Sequence, residues 1–252
     1  MTAVRYVAIG DSFTEGVGDE LPDGSTRGWA DLAAQGWAEA RGERIEYANL
    51  AIRGRLIRPI VEEQLEAALA LEPTHLSFNG GGNDMLRPRA DIERIADSYS
   101  RVLQRCDEEG VVLIALAGAD PSARLPLGRM IKRRGDALTS AVLRRIEARD
   151  DVVVADNWND PAFQNPRMWS EDRLHMGPRG HHRVASKVLG SLGLTPPSQW
   201  REMPSDQASR LGSARYYREH VAPWVRRRLT GTSSGDGRTA KYPEFVPIDP
   251  IG

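Results

Sequence analysis

Short apolar runs, many of them β-branched, recur along the chain at Val4–Ile9, Ile45–Leu50, His75–Phe78, Val111–Ala117 and Val152–Ala155. Each is too short for a helix and suits a strand buried on both faces. Between them lie stretches with apolar residues at spacings of three and four. Trp29 to Arg41, Ile57 to Leu71, Ile92 to Glu109 and Arg129 to Arg149 carry alanine, leucine, glutamate and arginine, the composition of amphipathic helices. A further helix is expected from about Pro178 to Leu189, with Pro178 suited to its first turn. Strands alternating with helices predict an α/β fold, a parallel sheet covered by helices on both sides.

The pattern changes beyond Pro196-Pro197. Residues 1–195 read as one domain and 196–230 as a helical extension. In the extension, Asp206 to Leu229 is interrupted by Pro223 and ends in Arg226-Arg227-Arg228, which favours the negative end of a helix dipole. Residues 231–252, rich in glycine, serine and proline without a period, read as a flexible tail. Removing everything after Thr230 is therefore expected to leave the domain intact.

Composition narrows the function classes. The chain has 252 residues, 40% of them hydrophobic, enough for a sizeable core. A net charge of -1 and the spread of arginines among 35 acidic residues argue against a nucleic-acid partner. No apolar stretch is long enough to span a membrane, and no basic and apolar leader precedes the first strand, so the expected location is cytoplasmic. The single Cys106 falls inside a periodic helix and reads as a packing residue in a reducing compartment.

Candidate chemistry gathers where strands end, as open parallel sheets lead one to expect. The first strand runs into Gly10-Asp11-Ser12, and a serine there is either turn chemistry or a nucleophile. Asp172 and His175, three apart in a polar stretch after the fifth strand, have the types and spacing of a carboxylate orienting an imidazole toward a serine. The other four histidines, His75, His181, His182 and His220, fall inside predicted elements, where packing or capping suffices. Gly80-Gly81-Gly82 before Asn83 lets the backbone approach a ligand, and the amide of Asn83 is either a donor to a developing oxyanion or a turn cap. Gly54 is either a second donor or a turn residue, and the Ser12 N–H is a third candidate.

Taken in order, Gly10-Asp11-Ser12 with Thr14-Glu15-Gly16, Gly54, Gly81-Gly82-Asn83-Asp84 and Asp172 to His175 resemble the four blocks of the SGNH, or GDSL-type, hydrolase family. The resemblance spans residues 1 to about 193. It implies a flavodoxin-like, three-layer α/β/α fold with a five-stranded parallel sheet, and neither a metal nor an organic cofactor. It also implies Ser12 as nucleophile, His175 as general base and then acid, Asp172 orienting His175, and an oxyanion hole from Ser12, Gly54 and Asn83. The sequence departs from the family at Phe13, where leucine is commonest, and at Arg53 and Arg55 beside Gly54. Thr14 breaks the G-x-S-x-G elbow of ordinary α/β-hydrolases.

The expected reaction is hydrolysis of a small-molecule ester or thioester through an acyl-enzyme. Acyl transfer to an alcohol or sugar is the alternative, followed by a silent ligand-binding module and a metal-dependent phosphoesterase built on Asp11, Asp172 and His175. Trp158, Phe163, Met168 and Trp169 precede the Asp-His pair and are candidates to line an acyl or sugar site.

Overall fold

The computed structural model describes residues 3–146, 149, 151–202 and 234–251. In chain order its main elements are β1 (Arg5–Ile9), α1 (Ser12–Glu15), α2 (Trp29–Arg41), β2 (Ile45–Asn49), α3 (Ile57–Pro59), α4 (Leu65–Ala70), β3 (His75–Phe78), α5 (Gly82–Met85), α6 (Ile92–Glu109), β4 (Val112–Ala117), α7 (Gly128–Ile146), β5 (Val153–Asp156), α8 (Pro178–Ser191) and β6 (Tyr242–Ile248). The sheet order is β5-β4-β3-β1-β2-β6, with β1 to β5 parallel.

Strand alternation divides the core into two layers. Val7 and Ile9 of β1, Leu76 and Phe78 of β3, and Leu113 and Ala115 of β4 face α6 and α7. Tyr6 and Ala8, with Ile114 and Leu116, face α2 and α8. On α6 the buried set Ile95, Tyr99, Val102, Leu103 and Cys106 keeps the three-and-four spacing that the sequence shows. Cys106 is fully buried, and burial pushes its thiol up to about 12, which fits packing. Three other histidines are in structural positions: His75 stands edge-on to Trp37, His181 Nδ1 accepts from Trp29 N, and His182 Nδ1 pairs with Pro178 O. His220 and the predicted helix from Asp206 to Leu229 lie outside the described residues. Among the described residues no helix is long and apolar enough to cross a membrane.

Two expectations need correction. The helical stretch expected over 57–71 is continuous from Ile57 to Ala70 but changes register at a π turn, Ile60–Gln64, between α3 and α4. Pro59 falls in the first turn, where its missing N–H removes no intrahelical bond. The second correction concerns the segment expected to be a tail. Its described part includes β6, which adds a sixth, antiparallel strand to β2 with Ile45 opposite Ile248 and Tyr47 opposite Val246. Pro243 and Pro247 suggested disorder, yet on an edge strand the missing N–H groups leave no pairing partner unsatisfied. Tyr242, Val246 and Ile248 pack against the α2/α8 layer.

Just before β6, Lys241 is almost buried. Its Nζ donates to Glu15 O, Thr26 O and Arg27 O at 2.7–2.9 Å and pairs with Asp31 at 2.8 Å. The C-terminal segment therefore clamps the region that follows β1, and cutting the chain after Thr230 removes that clamp. Lys241→Met leaves the mostly covered Asp31 carboxylate with Tyr47 OH as its donor and no cation, and removing one partner of a buried pair costs about 3–5 kcal/mol. Urea unfolding is expected to show a loss of that size. A loss below about 0.5 kcal/mol, the level of an ordinary surface substitution, would show that the clamp contributes nothing.

Candidate active site

The nucleophile candidate owes its place to the way β1 ends. Asp11 caps α1, its Oδ1 accepting from Phe13 N at 3.1 Å, so Ser12 begins a single helical turn. Gln64, carried by the π turn, accepts from Gly10 N at 2.8 Å and donates to Gly10 O at 3.0 Å. That pair fixes the residue from which the turn departs.

Asp172 and His175 share one small loop. Trp169 bridges Met176, and Ser170 N donates to His175 O at 2.9 Å, closing the segment between them. Asp172 Oδ1 accepts from Ser170 Oγ, Leu174 N and His175 N at 2.7–3.0 Å, while Oδ2 meets His175 Nδ1 at 2.5 Å. Burial alone would raise the Asp172 carboxyl, but the hydrogen bonds and charge of His175 outweigh it and hold the group well below the usual carboxylate range. Asp172 is thus an anion whose oxygens are committed to this loop. His175 Nε2 then reaches Ser12 Oγ at 3.0 Å, 163 residues away in sequence.

The remaining sequence candidates converge less uniformly. Asn83, in the first turn of α5, donates from Nδ2 to Asp11 Oδ2 at 3.0 Å and to Arg55 O at 3.1 Å, so both carboxamide hydrogens are engaged. Gly54 has φ +75, a left-handed turn conformation that suits glycine, and it does not line the cavity at Ser12. Its loop is nevertheless tied to the site. Arg53 N donates to Glu15 Oε2 at 2.5 Å, Arg53 Nε donates to Glu15 Oε1 at 2.7 Å, and Ile57 N donates to Asp84 Oδ2 at 2.9 Å. Among the described residues, the N–H groups of Ser12 and Gly54 find no acceptor.

A cavity of about 150 Å³ opens at Ser12 and His175, with Asp11, Asn83, Trp158 and Trp169 in its lining. Phe163 and Met168 are not part of that lining; Phe163 is buried in the α2/α8 layer, and its carbonyl accepts from Trp169 Nε1 at 2.7 Å. Among the described residues no group of three or more His, Cys, Asp or Glu side chains has a metal-holding arrangement. Sequence reading missed Gln64 and the Glu15–Arg53 pair, because nothing local announces a partner 38 or 54 residues away.

The chain is similar to known proteins over most of its length. A family model described as "GDSL-like Lipase/Acylhydrolase family" matches residues 8–183. No curated protein matches the sequence. Among solved structures, the lipase Lip_vut3 from a goat rumen metagenome is 18% identical with a TM-score of 0.64, covering 75% of this chain and 97% of its own. The psychrotrophic esterase EstA of a Pseudoalteromonas species, in a structure inhibited by monoethylphosphonate, is 18% identical with a TM-score of 0.58, covering 79% and 100%. An acetylxylan esterase from Geobacillus stearothermophilus is 16% identical with a TM-score of 0.58, covering 76% and 95%. At these identities the likeness shows the fold alone.

Asp11 offers a pH test of the site's internal wiring. Burial pushes its carboxyl up to about 6, against the opposing bond from Phe13 N, the charge of His175 and the bond from Asn83. A raised folded value means that the fold holds the proton more tightly than the unfolded chain does. Its stabilising contribution is complete below about pH 4 and is lost as pH rises through about 6. Relative to Asp11→Asn, the native chain should therefore lose about 2 kcal/mol of unfolding free energy between pH 4.5 and 7.5. A difference that stays constant across that range would contradict the buried, raised carboxyl.

Proposed function

The chain belongs to the GDSL-like lipase/acylhydrolase family of ester-hydrolysing enzymes, and from that premise we propose that it cleaves a small-molecule ester through an acyl-enzyme on Ser12. The observation that carries this reading is the unbroken line of hydrogen bonds from Asp172 through His175 to Ser12, at 2.5 and 3.0 Å. A serine with an ordinary turn role has no need of an imidazole held at that distance by a hydrogen-bonded anion.

His175 Nε2 takes the Ser12 Oγ proton as Oγ bonds to the acyl carbon, and the carbonyl electron pair moves onto oxygen. Asp172 keeps the Nδ1 proton in place and stabilises the imidazolium. Collapse of the tetrahedral species expels the alcohol oxygen, which takes its proton from His175. A water molecule then loses a proton to His175 as it attacks the acyl carbon, and collapse of that tetrahedral species expels Ser12 Oγ, which takes the proton back from His175 and leaves the free acid.

Oxyanion stabilisation falls to three groups. The Ser12 N–H, at the start of α1, and the Gly54 N–H are uncommitted donors among the described residues. Asn83 contributes by redirecting one of the hydrogens it gives to Asp11 and Arg55 O in the resting site. The carboxylate of Glu15, fixed to Arg53, keeps the Gly54 loop registered against the helix that carries Ser12.

Ser12→Ala is expected to keep a native circular dichroism spectrum and lose turnover on the order of 10⁶-fold, the scale for serine triads. Near-normal turnover of a nitrophenyl ester by the purified variant would remove Ser12 from the mechanism. Asn83→Ala should lower kcat by roughly 10²–10³ and leave KM nearly unchanged, because its bond to oxygen forms fully only in the transition state. Since Asn83 also binds Asp11 and Arg55, thermal midpoint and active-site-titrated kcat must be read on one preparation. A destabilised variant with wild-type turnover of its folded fraction assigns Asn83 to structure alone.

A further inference from the structure

An acyl-enzyme needs two different kinds of space around its serine. The acyl chain stays attached through both half-reactions, whereas the alcohol must leave and water must enter. A blind apolar recess therefore suits the acyl side, and an open face suits the leaving group. This inference rests on the esterase reading above.

The cavity at Ser12 and His175 has such a recess. It runs inward between the carboxyl ends of β3 and β4 and one face of α7, where Ile131, Gly135, Leu138 and Val142 follow at spacings of four, three and four. Tyr99 closes the inner part; it is buried, and its hydroxyl is already bonded to Gly80 N at 3.2 Å and Gly80 O at 3.1 Å. The bulkiest wall is Trp158, and it is held firmly. A Cβ at Gly135 would overlap its ring, its Nε1 donates to Asp136 Oδ1 at 2.7 Å, and Lys132 Nζ lies 5.7 Å from its ring centroid. A side chain pinned at both ring and nitrogen does not swing aside for a longer guest.

We propose that this recess receives the acyl chain of the substrate, that the enzyme selects esters of short acyl groups, and that Trp158 sets the length limit. The whole cavity, its end at Ser12 and His175 included, measures about 150 Å³, so the recess within it takes at most a guest of about six carbons, the size of benzene. Trp158 is thus a specificity-determining residue with no part in proton transfer.

The test is a series of 4-nitrophenyl esters from acetate to decanoate. For the native enzyme kcat/KM should rise roughly fourfold per methylene up to butanoate or hexanoate and fall at least tenfold by decanoate. Trp158→Ala should move the optimum by two or more carbons toward longer chains. Leu138→Phe, which fills the recess instead of opening it, should move it toward acetate, so a folding failure of the first variant leaves the second to decide. A profile flat within threefold for the native enzyme, or unchanged in shape in both variants, overturns the proposal.

Binding of straight-chain alkanols to Ser12→Ala, measured by calorimetry, reads the recess without catalysis. Affinity should grow to about hexanol and then level, and adding Trp158→Ala should extend the growth. Length-limited binding with no hydrolysis of any ester would keep the recess and overturn the esterase reading; hydrolysis with no length limit would do the reverse.

Discussion

The hydrogen bond between His175 Nε2 and Ser12 Oγ is the constraint on which the rest of the molecule depends, because it joins residues from opposite ends of the parallel sheet's chain order. Ser12 leaves the sheet at β1, in its middle, where the next strand goes to one side and β3 to the other. Loops diverge at such a point and leave a crevice. The Asp172–His175 loop follows β5 at the far edge and must cross back to reach it. It is brought there by Trp169 and Met176, both buried in the layer that α2 shares with α8. Packing of one face of the sheet thus sets a distance at its carboxyl end.

Three buried or nearly buried carboxylates surround Ser12, and each is treated differently. Asp172 is surrounded by donors and stays ionised, which is what orienting an imidazolium requires. Glu15 is neutralised by the guanidinium and the backbone of Arg53, turning a charge into a link between the helix that begins at Ser12 and the Gly54 loop. Asp11 has only neutral donors bonded to it, Phe13 N and Asn83 Nδ2, and burial raises it. Similar groups in one crevice therefore serve as orienting anion, latch and strand-end cap, according to what donates to each.

Much of this was legible in the sequence because it is local. The five parallel strands, the long helices and the Asp172–His175 spacing all rest on patterns within about twenty residues. Three of the four motif blocks supplied Ser12, Asn83, Asp172 and His175; Asp172, His175 and Ser12 are joined by hydrogen bonds and Asn83 lines the cavity beside Ser12, whereas Gly54 of the remaining block lies outside that lining. What was not legible depends on distant pairing. β6 was taken for a tail because its prolines and the glycines before it imitate disorder, and only the free edge of β2 gives Tyr242, Val246 and Ile248 a surface to cover. Gln64 falls inside the stretch predicted as a helix over 57–71, and the π turn after Pro59 carries it to Gly10. Arg53 read as a departure from a family pattern and is the partner of Glu15.

The central claim is that the Asp172–His175–Ser12 line makes Ser12 a nucleophile. Its most direct measurement is peptide mapping by mass spectrometry after reaction with an ethyl 4-nitrophenyl phosphonate, in which a serine oxygen displaces nitrophenolate from phosphorus and keeps the phosphonyl group. The account predicts one adduct, on the peptide carrying Ser12, and none within the same time when His175 is replaced by alanine. An adduct on Ser170, whose hydroxyl also touches the Asp172 carboxylate, or equal labelling of Ser12 with and without His175, would contradict it.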